Sequence, residues 1–268
     1  MKRLLIIISL LSFTISTVWG VESESCISEG SNYSEGVNIS AQCIQWVRDN
    51  ATLATQIEIK NSLKVYGHQN ILLLAKRSRK KHEELFPISG QKSSLHKIIS
   101  IDISYNHRWI AILNEDEIGD RSVLHFPVGV KGNLTPSKVI SDKNFRYANS
   151  IAYHPNDKQL FVAFPERGEV ILYGNKHDSR LGKKRSESLL VYDDKISGEE
   201  QVVLPTSIST SKSHLYVFDS KLKQITAFSI RNNRISLAPD NNIVDGPWNQ
   251  REIKAIRHLH HESVILSE

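Results

Sequence analysis

From residue 99 onward, short apolar runs alternate with polar turns. The clearest instance is Ser150–Gly174, SIAYHPNDKQLFVAFPERGEVILYG. Ser150–Tyr153 is apolar and runs into the turn His154-Pro155-Asn156-Asp157. Leu160–Phe164 follows, then a turn around Pro165–Gly168, then Glu169–Tyr173. Pro, Asn, Asp and Gly supply the backbone geometries that tight turns require, so the stretch predicts a three-stranded antiparallel meander. Within Leu160–Phe164, Leu160, Val162 and Phe164 face one way, and Phe161 and Ala163 the other. A strand apolar on both sides predicts a sheet covered on both sides.

The rest of the chain reads as imperfect copies of this unit. Leu63–Tyr66 leads to Ile71–Ala75. Ile99–Ile103 leads, through Tyr105-Asn106-His107-Arg108, to Trp109–Leu113. Thr206–Ser209 leads to Leu215–Asp219, and Ile253–Ile256 to Val264–Leu266. Two further strands fit in most repeats: Val123–Phe126 with Lys138–Ile140, Ser188–Tyr192 with Gln201–Leu204, and Gln224–Phe228 with Arg234–Leu237. Four strands in each repeat of about 40–55 residues predict the blades of a β-propeller. Cys43–Val47 and Thr52–Ile59 read as two more strands, joined by Arg48-Asp49-Asn50. Pairing these with the last two strands closes a ring and removes the exposed sheet edges. The fold class is therefore all-β, a five- or six-bladed propeller spanning residues 41–268. No stretch keeps a helical apolar period long enough to predict a helix.

The N-terminus changes the picture of compartment. Lys2 and Arg3 precede an apolar run, Leu4–Trp19, and Val18 and Gly20 fit the small-residue pattern of a cleavage site. Residues 1–20 read as a secretory signal peptide; a membrane anchor is the alternative, but the run is short and mixed with hydroxyl residues. No later segment approaches a membrane span. Residues 21–40, rich in Ser, Glu, Gly and Asn, read as a flexible arm. The expected location is extracellular, or periplasmic in a bacterium. Of the two cysteines, Cys26 and Cys43, the oxidising compartment predicts one disulfide, with two free thiols as the alternative. Four N-x-S/T sequons, at Asn32, Asn38, Asn50 and Asn133, offer glycosylation sites. The net charge of +5 is too mild to argue for nucleic acid.

Candidate chemistry is sparse. Lys76-Arg77-Ser78-Arg79-Lys80-Lys81 is the densest charge run and reads as a loop, either solvated or aimed at an anion, glycan or acidic partner. Lys183-Lys184-Arg185 lies in a long polar insertion. His258-Leu259-His260-His261-Glu262 carries metal-ligand residue types but falls in a predicted turn. Entries to the inner strands offer Asp102, Asn149, Thr206 and Lys254, of which Asp102 and Asn149 are suitable oxygen ligands. Two such ligands do not make a Ca²⁺ cage. No nucleophile elbow, zincin motif, phosphate loop or Cys-pair metal motif is present.

SIAYHPNDKQLFVAF and SISTSKSHLYVFDSKLKQITAFSI resemble the repeats of YVTN- and NHL-type propellers. Three segments resemble the yellow/major royal jelly family of secreted propellers. They are Asn70–Arg77, with Lys76 where that family has Pro; Ile101-Asp102-Ile103 with Arg108–Leu113; and Val264–Glu268. That resemblance implies a secreted ligand-binding ring. Some salivary members bind biogenic amines through residues whose places here fall at Ile253 and Glu268, which do not match. The expected function is binding of a small molecule, extracellular protein or glycan without catalysis. Arg77, Asp102 and Asn149 are the candidate contacts, and Trp109 is read as core. The alternative is a metal-dependent propeller hydrolase or lactonase, with Ca²⁺ as its cofactor, at the central channel.

Overall fold

The computed structural model describes residues 40–59, 63–77, 83–173, 186–191, 204–221, 223–231, 234–235, 241–243, 253–259 and 262–267. The predicted signal segment and arm, Cys26, Asn32, Asn38, residues 78–81 of the basic run and the 183–185 cluster lie outside them.

Three antiparallel sheets of four strands follow one another. The first holds β1 (Gln56–Ile59), β2 (Leu63–His68), β3 (Ile71–Arg77) and β4 (Glu83–Ile88). The second holds β5 (Lys97–Ile103), β6 (Trp109–Glu115), β7 (Arg121–Pro127) and β8 (Lys138–Ser141). The third holds β9 (Ser150–Tyr153), β10 (Leu160–Phe164), β11 (Glu169–Tyr173) and β12 (Ser186–Val191). A fourth holds β13 (Pro205–Thr210), β14 (His214–Asp219) and β15 (Gln224–Arg231), with its outer edge split between β16 (Arg234–Ile235) and β17 (Asn241–Ile243). The last is a hairpin of β18 (Ile253–Leu259) and β19 (Glu262–Ser267); His258, Leu259 and Glu262 of the histidine motif lie in these strands, and His260 and His261 lie outside the described residues.

The first strands β5, β9 and β13 lie side by side, and the sheets pack face to face around them. Strand β10 is buried along its whole length. Leu160, Val162 and Phe164 join Ala111, Leu113 and Val123 of the second sheet, while Phe161 and Ala163 join Ile208, Leu215 and Val217 of the fourth. The two-faced apolar pattern is thus the signature of a sheet lying between two others. Between the first and second sheets the packing is tight at Gly67. A Cβ there would meet Ile101 Cδ1 at 2.6 Å and Ile98 Cγ2 at 2.9 Å, so any side chain at this position forces those isoleucines to shift.

Three expectations are corrected. First, Cys43–Val47 is no strand: Ala41–Asn50 forms a helix, α1. Its apolar residues serve a strand or a helix equally by count, but Cys43 and Val47 sit one turn apart and bury together against Ile71 and Leu73. Ser40 caps the helix, its Oγ accepting from Cys43 N at 3.3 Å, and Arg48 in the last turn pairs with Glu83 at 2.6 Å. Second, the repeat in the first sheet begins one strand earlier than its sequence implies. Gln56–Ile59 is the innermost strand, and Ile71–Arg77 the third. Third, β1 pairs with β2, and β18 with β19. Among the described residues the N- and C-terminal strands do not share a sheet. Instead β18 runs alongside β13 and beside the short 3₁₀ turn Leu53–Thr55.

Candidate functional site

Five polar side chains on or next to the inner strands bond the backbone of the neighbouring inner strand. Ile151 N donates to Ser100 Oγ (3.3 Å) and Ile208 N to Ser150 Oγ (3.2 Å). Tyr153 N donates to Asp102 Oδ2 (2.6 Å), Asn149 Nδ2 to Thr206 O (3.0 Å), and Thr210 Oγ1 to Tyr153 O (2.6 Å). Adjacent first strands of packed sheets stand too far apart for ladder bonds, so side chains bridge the gap and satisfy the buried amides.

These bonds fix the level of each residue. Ser100 and Ser150 make the same bond and so stand at one height. Asp102 lies two residues beyond that height, and Asn149 one residue before it. At about 3.3 Å per residue, the two candidate contacts are separated along the axis by about 10 Å. Arg77 is exposed at the end of the third strand of the first sheet, opposite Glu83. The three predicted contacts therefore do not converge, and Asp102 and Asn149 are stitches between strands.

At the end where the chain leaves β5, β9 and β13, the first turns form a connected surface. Ser104–Trp109 and His154–Gln159 are the same turn built twice. Ser104 N bonds Trp109 O and His154 N bonds Gln159 O, both at 2.9 Å. Arg108 N and Lys158 N each donate to the Asn two residues before, Asn106 Oδ1 and Asn156 Oδ1, both at 2.9 Å. His107 and Asp157 both adopt left-handed backbone, at φ 56° and 58°. The Asp157 carboxylate accepts from Tyr105 N and, at 3.1 Å, from Asn106 N, locking one turn to the next. Tyr105 Oη donates to Thr210 Oγ1 at 3.0 Å, tying in the fourth sheet. Burial raises the Tyr105 phenol well above its usual range. Sequence reading found both turns but had no signal for the bonds between them.

Trp109 is 37% exposed, contrary to the core reading. It shares the side of β6 that carries Ala111 and Leu113, so it stands at the mouth of the gap between the second and third sheets. Below it, His125 Nδ1 lies 2.8 Å from Tyr153 Oη. His125 is buried with no partner on Nε2, and desolvation lowers it to about 4. His154 is also buried and lowered by desolvation. Neither histidine was singled out from sequence, because a lone His carries no spacing signal.

At the opposite end, Glu115 holds Lys97 at 2.7 Å and Arg121 at 2.5 Å, and Lys97 foremost keeps its carboxyl below the usual range. Two sequons are described. Asn50 Nδ2 donates to Trp46 O at 2.9 Å on the exposed end of α1. Asn133 Oδ1 accepts from Lys92 N at 2.7 Å, and the side chain rests on Gly90. Cys43 is buried on the inner side of α1, its proposed partner Cys26 lying outside the described residues. Among the described residues, no group of three His, Cys, Asp or Glu side chains is placed to share a metal ion. No helix among them is long and apolar enough to cross a membrane.

No protein-family model matches the sequence, and no curated protein matches it. The resemblance to the yellow/major royal jelly family therefore gains no support. Among solved structures, the fold is similar to the β-propeller domain of Cps50 (Swd1) from Myceliophteria thermophila. The TM-score is 0.52 at 15% identity, over 81% of this chain and 62% of that one. It is also similar to a functionally unknown protein from Desulfotomaculum acetoxidans, with a TM-score of 0.53 at 12% identity over 80% of this chain and 62% of that one. The chain thus spans less than two thirds of either. At such identities the likeness is one of fold alone: mostly β, with four-stranded antiparallel sheets as in a propeller domain.

Proposed function

We propose that this chain is a secreted, five-bladed propeller that binds an extracellular ligand or partner on its first-turn face, without catalysis. The observation that carries this reading is the division of labour among its polar groups. Inner-strand residues that look like channel chemistry hold neighbouring strands together. The first turns, rigidly cross-linked, carry exposed side chains outward. A rigid support with variable exposed loops is the usual design of a binding scaffold. The contact of β18 with Leu53–Thr55 supports a ring whose ends meet by packing rather than by a shared sheet. In that ring α1 covers the face of the first sheet that a complete last blade would cover. The leader and the sequons support secretion.

The test pairs a glycan and small-molecule array with turnover assays. Binding is expected to fall on substitution of first-turn residues and to survive Asn149→Ala in folded protein. Hydrolysis of aryl esters or lactones with added Ca²⁺, abolished by Asp102→Asn in folded protein, overturns the reading.

A further inference from the structure

We infer that the first-turn face takes an acidic polysaccharide, with sulfate or carboxylate groups on Arg108, Lys158 and Lys212 and a sugar ring on Trp109. This rests on the proposed binding face and names its ligand class.

Arg108 and Lys158 occupy the same place in two turns of identical construction, and Lys212 tops the shorter turn Ser211–His214 of the next sheet. All three are exposed. None of the ion pairs among the described residues uses them. Asp157, next to Lys158 in its turn, has its carboxylate bonded to backbone N–H groups. The result is a row of three cations, one from each of the second, third and fourth sheets, whose inner strands are bonded side to side. A repeating row of single cations matches a linear polymer with repeating anions better than it matches one small anion. The half-exposed indole beside Arg108 adds an apolar platform. The C–H face of a pyranose packs on such a surface, while its acidic substituents reach the flanking cations. A bare polyphosphate or polyglutamate makes no use of that platform.

Immobilised heparin, polyglutamate, duplex DNA and neutral dextran are the probes, with the full mature chain as analyte. The expected result is salt-sensitive binding to heparin, weaker binding to polyglutamate and DNA, and none to dextran. The triple variant Arg108→Glu, Lys158→Glu, Lys212→Glu is expected to weaken heparin binding about tenfold or more, as loss of a local field requires. Lys143→Glu, Arg146→Glu, Lys223→Glu makes the same charge change elsewhere and is expected to have little effect. Trp109→Ala, which leaves every cation in place, is expected to weaken heparin but not polyglutamate. Equal losses in both triples reduce the effect to net charge and overturn the inference. Equal affinity for heparin, DNA and polyglutamate overturns the saccharide assignment. Binding of a neutral ligand lost only in the first-turn variants also overturns it, while leaving the binding-face reading intact. Heparin binding untouched by any first-turn variant overturns both.

Discussion

Asp102 shows how a residue type misleads when its partner is unseen. An aspartate on an inner strand has the chemistry of a metal ligand, yet its carboxylate accepts Tyr153 N–H at 2.6 Å. A charged acceptor on a backbone amide is a strong bond, and its loss strands the donor. Asp102→Ala is expected to cost about 1–3 kcal/mol in urea unfolding, with metal content by mass spectrometry unchanged. His125 carries a second expectation at this scale. It is depressed to about 4 in the fold against an ordinary 6.5. The unfolded chain therefore binds the proton more readily. Its contribution is intact above about pH 6.5 and is lost as pH falls through the folded value. By pH 5 the loss reaches about 2 kcal/mol. His154, shifted in the same direction by the same cause, adds to it. Denaturation midpoints at pH 8 and pH 5 measure the sum, and His125→Phe is expected to flatten the slope.

At the scale of elements, α1 and the close contact at Gly67 decide how the first sheet is covered. Val47 is fully buried against Ile71 and Leu73. Val47→Ala removes two methyl groups there and is expected to cost about 2 kcal/mol. Gly67→Val drives side-chain atoms into Ile98 and Ile101 and is expected to cost about 1–3 kcal/mol or more, as overpacking does. Thermal unfolding of the two single variants and the double measures whether the faces are independent. They lie on opposite sides of one sheet, so the losses are expected to add to within about 0.5 kcal/mol.

At the scale of the molecule, the question is how the two ends of the sheet series meet. Spin labels at Thr52 and Arg257 are expected about 10–20 Å apart, one to two sheet spacings, if β18 lies against the 3₁₀ turn in solution. A longer distance means an open array. Secretion is checked by N-terminal sequencing of protein made in a secretory host, where Val21 is the expected first residue. Retention of Met1–Gly20 overturns that reading.

The sequence by itself determined the antiparallel meanders of the second and third sheets, from β5 to β11. Alternation and turn residues are local, and β10, apolar on both sides, already declared a sheet between two others. It also marked both six-residue turns. The Ala41–Asn50 helix was decided elsewhere: its apolar residues fit either period, and only the waiting face of Ile71 and Leu73 selects the helical one. The roles of Asp102 and Asn149 were likewise settled by groups about fifty residues away in sequence. What a polar side chain does depends on which amide or ligand it meets, and that is a property of packed sheets, not of spacing along the chain.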